Sequence, residues 1–196
     1  MEVDAVEIRV LGSLIEKQRT TPDQYPLSLN ALRLACNQTT NRDPVVEYDE
    51  RMIKAALERM SNRGWTRFAS GASSRALKYR HLLNEALSLS DAELAVLAVL
   101  MLRGPQTPGE LKQRTERLHR FDSPAEVVET LDGLAERELV RRAGRRPGQK
   151  EERYVQLLGG AQGEEQEPPP AAEPDFEARL SRLEAAVEDL RARLDA

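Results

Sequence analysis

The segment Glu7-Ile-Arg-Val-Leu-Gly-Ser-Leu14 recurs in the second half of the chain as Glu93-Leu-Ala-Val-Leu-Ala-Val-Leu100. A second pair of segments matches in the same way, Leu57-Glu-Arg-Met-Ser-Asn-Arg-Gly-Trp-Thr-Arg67 with Leu131-Asp-Gly-Leu-Ala-Glu-Arg-Glu-Leu-Val-Arg141. The repeated unit is about 75 residues long, which exceeds the period of solenoid repeats. The sequence therefore predicts two copies of one small domain, called here the first copy and the second copy.

Capping-box patterns mark three helix starts in the second copy. Ser90, Thr107 and Ser123 are each followed three residues later by a glutamate. In this pattern the hydroxyl accepts a hydrogen bond from a backbone N–H at the helix start, and the glutamate binds back to the cap residue. The predicted helices cover residues 91–103, 108–118 and 124–138. A β-hairpin is predicted to follow, with strands at 139–143 and 153–158 around a turn-rich loop.

The first copy has the same predicted order of elements. Asp4 and Asp49 are the expected caps of its first and third helices. The predicted helices cover residues 5–18, 29–38 and 50–63, and the predicted strands cover 65–69 and 76–83. Three helices and a hairpin are the element order of the winged helix, a helix-turn-helix variant whose third helix enters the DNA major groove. We therefore predict a mainly α fold with small β-hairpins (α+β), built from two tandem winged-helix domains at residues 1–86 and 87–158.

The chain after residue 158 differs in composition from both copies. Residues 159–175 are acidic and rich in proline, which predicts a flexible linker. In residues 176–196, apolar residues recur at alternating spacings of four and three, which predicts a coiled-coil-like heptad helix. Because so short a helix is marginal alone, we expect a homodimer through it. The predicted dimer contacts are Phe176, Leu180, Leu183, Val187, Leu190 and Leu194.

The composition favours a cytoplasmic protein. The single cysteine, Cys36, leaves no internal disulfide to form. The chain has no apolar run of about 18 residues, so no membrane span is predicted, and its acidic start does not resemble a signal peptide. His81 and His119 lack the spacing of zinc ligands, and no known catalytic motif is present. We therefore predict that the protein is not an enzyme and has no catalytic residues, metal site or cofactor.

The net charge of −4 is unevenly distributed along the chain. Residues 159–196 contain ten acidic and four basic residues, so the two copies together are close to neutral. Neither copy has the strongly basic composition that would by itself indicate nucleic-acid binding. The local charge of the third helices and of the hairpins therefore decides which partner is expected.

The two predicted third helices present different charges. In the second copy, helical periodicity places Glu126, Glu129, Asp132 and Glu136 on the outer face, where they would repel phosphates. In the first copy the outer face is mostly basic, with side chains that also bind base edges. Its candidate DNA-binding residues are Arg51, Lys54, Arg59 and Asn62. An ordinary charged surface, with Lys54 and Glu58 as an i,i+4 pair, explains the same pattern.

The hairpin of the second copy carries the densest basic patch of the sequence. Arginine side chains on a hairpin suit contact with phosphates or with the minor groove, and they equally suit an acidic protein partner. The candidate DNA-binding residues here are Arg141, Arg142, Arg145, Arg146 and Lys150.

A polar loop follows the predicted second helix of the first copy. Residues 37–44 contain Asn37, Gln38, Asn41, Arg42 and Asp43. These side chains either bind a small ligand or partner, or hold the loop through hydrogen bonds to its own backbone. The loop has no phosphate-binding glycines and is not a P-loop.

Three segments of the chain are long and specific: Thr21-Pro-Asp-Gln-Tyr-Pro-Leu-Ser-Leu-Asn30, Ala35-Cys-Asn-Gln-Thr-Thr-Asn-Arg-Asp-Pro-Val45 and Leu102-Arg-Gly-Pro-Gln-Thr-Pro-Gly-Glu-Leu111. In these segments the chain resembles the YceH family of bacterial proteins, and the likeness extends from about Val6 to Leu158. The resemblance implies a fold of tandem winged helices and assigns no biochemical activity. The linker and the heptad segment lie outside it.

Together these features favour a non-enzymatic protein that binds double-stranded DNA in a regulatory role. The rival hypothesis is a protein–protein interaction adaptor that uses its winged-helix domains as docking platforms. The basic hairpin favours DNA, whereas the near-neutral copies and the acidic third helix favour a protein partner.

Overall fold

Capping side chains begin the first and third helices of the first copy at the predicted residues. The computed structural model describes residues 3–69, 77–143 and 152–159, all within one compact unit. Asp4 and Asp49 accept hydrogen bonds from backbone N–H groups three residues further on. The three helices are α1 (Ala5–Thr20), α2 (Leu29–Cys36) and α3 (Glu50–Asn62), with a short 3-10 turn at Pro22–Gln24.

The second copy begins after a short connecting helix that the sequence did not predict, α4 (Leu83–Ala86). Its own helices are α5 (Asp91–Arg103), α6 (Pro108–Thr115) and α7 (Pro124–Glu136). Ser90 and Thr107 form the predicted capping boxes. Ser123 does so only in part: its hydroxyl caps α7, but the carboxylate of Glu126 accepts a hydrogen bond from the N–H of Asp122, 2.8 Å away.

The strands of both copies form antiparallel hairpins, and the first copy contains one strand that the sequence did not predict. In the first copy, β1 (Leu27–Ser28), β2 (Thr66–Ala69) and β3 (Lys78–His81) form an antiparallel sheet in the order β1-β3-β2. In the second copy, β4 (Val140–Ala143) pairs with β5 (Arg153–Gln156). Leu27 lies opposite Tyr79, and Gln106 forms the equivalent bridge to Tyr154. The sequence did not predict β1, because its pairing with β3 is not local in sequence.

The first helices of the two copies pack against each other and join both copies in one hydrophobic core. Leu11 and Leu14 of α1, together with Leu97 and Leu100 of α5, are almost completely buried. Gly12 permits the close approach, because a Cβ atom at this position would lie 3.0 Å from Cγ of Leu102. The two matching segments that reveal the duplication are therefore also the segments that connect its two halves.

The described residues form a mixed fold of helices and small antiparallel sheets, which is consistent with the predicted α+β class. Within the described ranges, no helix has both the length and the apolar character needed to cross a bilayer. The predicted heptad helix, with Phe176, Leu180, Leu183, Val187, Leu190 and Leu194, lies outside the described residues, as does the predicted linker from residue 160 onward.

Candidate nucleic-acid interface

Helix α3 presents a mixed but mostly basic face, as the sequence predicts, and Glu58 is also exposed on it. Its buried residues, among them Ile53, Leu57 and Met60, point into the core and so orient the opposite face to solvent. Arg51 and Lys54 are exposed on that face. Within the part of the chain that the structure describes, neither forms an ion pair, and the pair of Lys54 with Glu58 is not formed.

Asn62 and Arg59 continue α3 toward its end but differ in their surroundings. Asn62 is exposed in the last turn of the helix. The guanidinium of Arg59 instead forms an ion pair with Asp4, and its Nε lies 3.5 Å from Oε2 of the buried Glu7. Arg59 is therefore directed toward the start of α1, whereas Arg51, Lys54 and Asn62 face solvent.

The third helix of the second copy has the acidic outer face that the sequence predicts. Glu129, Asp132 and Glu136 of α7 are exposed, and Glu126 is half-buried. Like charges on one helix face oppose the approach of a phosphate backbone. The two third helices therefore differ in their suitability for DNA, as the sequence indicated.

The basic hairpin of the second copy is described only at its base. Arg142 of β4 lies beside the acidic helix, with Nη2 3.3 Å from Oδ1 of Asp132 and Nη1 3.6 Å from Oε2 of Glu152. The hydrogen bond that Arg142 donates to the carboxylate of Asp132 raises the pKa of Arg142 above its ordinary value. Arg141 is half-buried on the same strand. The other candidates, Arg145, Arg146 and Lys150, lie outside the described residues.

The polar loop at residues 37–44 is held by its own side chains. The amide of Asn37 donates to the backbone oxygen of Tyr48 and accepts from its N–H, both at 2.9 Å. Arg42 is fully buried and binds both carboxylate oxygens of Glu16, at 3.1 and 2.6 Å, and the carbonyl of Ala35. Of the two roles considered for this loop, these contacts favour the structural one for Asn37 and Arg42.

Two further titratable residues are buried in the first copy. Burial raises the pKa of Cys36 to about 11, so its thiol stays protonated and unreactive at neutral pH. Burial, together with the positive charges of Arg80 and Arg19, lowers the pKa of His81 to about 4. The described ranges contain no group of three or more His, Cys, Asp or Glu residues placed to hold a metal ion.

These features define a class of protein: a duplicated helix–hairpin protein of mixed α/β structure, with one basic and one acidic third helix. Residues 3–149 match the family model described as "Protein of unknown function, DUF480". The chain is 43% identical over 204 residues to the UPF0502 protein YceH of Salmonella paratyphi A, covering 99% of this chain and 95% of that protein.

Two further bacterial relatives have a similar level of identity. A UPF0502 protein of Opitutus terrae is 47% identical over 189 residues, which covers 95% of this chain and 82% of the relative. A UPF0502 protein of Citrifermentans bemidjiense is 48% identical over 185 residues, which covers 93% and 80% respectively. The chain therefore belongs to the DUF480 (YceH) family, and the resemblance found in its sequence is confirmed.

Proposed function

We propose that this protein is a non-enzymatic, cytoplasmic, tandem winged-helix protein that binds double-stranded DNA in a regulatory role. In each copy, three helices are followed by an antiparallel hairpin, which is the element order of the winged helix. The observation that carries the proposal is the exposed face of α3, where Arg51 and Lys54 form no ion pair with described residues. In this proposal α3 is the reading helix, and β2 and β3 form the wing beside it.

The neighbouring strand adds to the basic surface of α3. Arg67 is exposed on β2, which packs against α3. The exposed cations of α3 and β2 suit contact with phosphates, and the amide of Asn62 suits contact with a base edge. Arg59 has an indirect role here, because its ion pairs with α1 hold α3 in place.

A fluorescence anisotropy titration of the full chain with labelled duplex DNA tests this proposal. The double variant Arg51→Ala/Lys54→Ala loses two phosphate contacts. The plot of the logarithm of the association constant against the logarithm of salt concentration is therefore expected to become shallower by about 2, and binding at low ionic strength to weaken about ten-fold or more. The control, Lys112→Ala/Arg120→Ala, removes the same charge from the second copy and retains both slope and affinity. Unmeasurable affinity of the wild-type protein at low salt would reject the proposal.

The second candidate function is a protein-interaction adaptor, and the acidic face of α7 favours it. Glu129, Asp132 and Glu136 are exposed on one helix, and Arg142 of the adjacent strand is paired with Asp132. Such a surface is complementary to a basic protein surface and not to DNA.

A photo-crosslinking residue placed at position 51 or at position 129 distinguishes the two candidates in cells. Crosslinks to DNA from position 51 support DNA binding by α3. Crosslinks from position 129 to one protein, lost on Asp132→Lys/Glu136→Lys substitution, support the adaptor. The two positions lie in different copies, so each reports on one surface.

The heptad pattern of residues 176–196 supports a further part of the proposal, dimerisation of the chain. Two tails that pair would bring two modest DNA-binding surfaces together and increase affinity through effective concentration. Light scattering of the chain with and without residues 176–196 tests this. An unchanged molecular mass would remove dimerisation from the proposal.

A further inference from the structure

Two polar cavities lie side by side where the first copy meets the second. Their volumes are about 250 and 230 Å³, and both are lined by Asn41, Arg103 and Arg114. Gln106 lines the first cavity and Arg117 lines the second. We call these five residues and the space between them the junction cleft. Asn41 comes from the loop of the first copy, and the other four residues come from the second copy.

The junction cleft has an excess of positive charge. Its two cavities are lined by five arginines and three carboxylates. Two of the carboxylates are already bound through both oxygens, Glu16 by Arg42 and Glu110 by Arg153. Arg103 is hydrogen-bonded only to the neutral side chain of Asn41 within the described part of the chain. The positive charges of Arg103 and Arg114 are therefore only weakly balanced by the carboxylates that line the two cavities.

The electrostatic environment of Arg103 agrees with this geometry. Burial lowers the pKa of Arg103, the positive charges of Arg114 and Arg42 lower it further, and the negative charge of Glu16 offsets part of this shift. The nearest partner of Arg114 is Glu110, with Nη2 3.6 Å from Oε1, a carboxylate oxygen that Arg153 also binds. Two guanidinium groups that repel each other across a cavity are stabilised by an anion between them, and phosphate accepts paired N–H bonds from arginine.

The side chain of Gln106 is a second, independent indication that the junction cleft binds a ligand. This side chain is buried, with 3% of the residue exposed, and its Nε2 donates to the carbonyls of Arg103 and Pro105 at 3.0 and 2.8 Å. Its Oε1 is buried and has no hydrogen-bond partner among the described residues. The equivalent residue of the first copy is the apolar Leu27, so the hairpin bridge itself does not require a polar side chain.

A buried acceptor without a partner costs free energy unless a donor reaches it. The junction cleft thus offers guanidinium groups for an anion, and Gln106, which lines the first cavity, carries an acceptor that no described donor reaches. Cavities of this size are smaller than those that enclose drug-sized ligands. We infer that the junction cleft binds a small phosphate monoester that also carries a hydrogen-bond donor, such as a sugar phosphate or a nucleoside monophosphate.

Ligand binding at this position would join the two copies. The loop of the first copy already contacts the second, because the N–H of Asp43 donates to the carbonyl of Leu102 at 2.8 Å. A phosphate held by Arg103, Arg114 and Arg117 beside Asn41 adds contacts across the same boundary. Binding therefore raises the unfolding temperature of the protein. The site does not depend on DNA binding, and its test requires no DNA.

Isothermal titration and thermal unfolding of the full chain test the inference, with ribose 5-phosphate, adenosine 5′-monophosphate, inorganic phosphate and ribose as probes. A phosphate ester is expected to bind at least about ten-fold more tightly than ribose and than inorganic phosphate. The variant Arg114→Gln/Arg117→Gln is expected to lose about ten-fold or more in affinity, whereas Arg120→Gln, on the exposed turn beyond α6, retains it.

Two further variants keep the test decisive. Arg117 is exposed and forms no ion pair with described residues, so Arg117→Gln alone is a safeguard against misfolding of the double variant. Gln106→Leu installs the residue of the first copy and is expected to reduce ester affinity to that of inorganic phosphate. The inference is overturned if no phosphate ester binds saturably, or if Arg120→Gln weakens binding as much as Arg114→Gln/Arg117→Gln.

Discussion

Glu7 in the first turn of α1 binds Arg63 at the end of α3, with Oε1 of the carboxylate 2.6 Å from Nη1 of the guanidinium. The second copy has the same ion pair at the equivalent positions, Glu93 with Arg137 at 3.0 Å. In both copies the carboxylate also completes the capping box of its helix. One side chain thus links the start of the first helix to the end of the third helix, and the duplication has preserved this link.

The two links differ in burial, and this difference predicts unequal effects of the same substitution. Glu7 is 1% exposed and also faces Arg59, whereas the side chain of Glu93 is 18% exposed. Glu7→Gln leaves two arginines without their buried counter-charge and is expected to lower the free energy of unfolding by about 2 kcal/mol. Glu93→Gln is expected to cost about 1 kcal/mol or less. Urea denaturation measures both, and equal losses would contradict this account of the link.

Gly12 is expected to tolerate no side chain, because α1 and α5 touch at this residue. A Cβ atom would lie 3.0 Å from both Cγ of Leu102 and Cβ of Met101. Gly12→Ala is therefore expected to destabilise the protein by about 1–2 kcal/mol, because it overpacks the core.

Gly133 in α7 is the matched control, because a Cβ there meets no atom within 4 Å. Gly133→Ala is expected to stabilise by about 0.5–1 kcal/mol, since alanine favours a helix. Thermal unfolding of both variants measures the contrast, and stabilisation by Gly12→Ala would show that the helices can separate.

The second residue after the third helix differs between the copies. Gly64 and Glu138 occupy equivalent positions, and both have a positive φ, of 74° and 56°. This conformation suits glycine and is costly for other residues. Glu138→Gly is expected to stabilise the protein by about 0.5–1 kcal/mol, and Gly64→Ala to destabilise it by about 1 kcal/mol. Chemical denaturation of this reciprocal pair provides the measurement, and effects of the same sign would refute the argument.

Local features of the fold could be predicted from the sequence, because the residues that cause them lie within one turn of the helix. Helix α5 begins and ends as predicted, since Ser90 and Glu93 cap it and a glycine follows Arg103. The strand at Leu27 was missed because its partner, Tyr79, lies far away in the sequence.

The candidate sites were predictable only in part, for the same reason. Periodicity correctly placed Arg51 and Lys54 in solvent, but it could not show that Arg59 pairs with Asp4 in another helix. The burial of Arg42 depends on Glu16 in α1, and the junction cleft depends on the contact between the two copies. No spacing within either copy encodes these contacts.

His81 is expected to make the protein less stable in mildly acidic solution. It is one of two histidines in the chain and is 1% exposed. Its Nε2 lies 2.6 Å from Oε1 of Gln18, its backbone N–H donates to the Tyr25 hydroxyl, and its Nδ1 has no partner among the described residues. A proton on this ring would have to be buried beside two arginines, and its pKa is accordingly lowered to about 4.

The sign of the effect follows from the two protonation states. In the unfolded chain the pKa of this histidine is about 6.5, so the unfolded state binds a proton between about pH 6.5 and pH 4 that the folded state does not. Its contribution to stability is complete above pH 6.5 and is lost progressively as the pH falls toward 4. A lowering of this size corresponds to at most about 3 kcal/mol.

His81→Gln removes the titrating group and installs the residue that the second copy has at this position, Gln156. Unfolding free energies measured by urea between pH 7.5 and pH 4.5 are expected to decline less steeply for His81→Gln than for the wild-type protein. His119→Gln is the control, because this histidine packs on the edge of Phe121 away from the site and its variant should retain the wild-type decline. If His81→Gln and the wild-type protein lose stability in parallel, the buried imidazole is not the group that senses pH.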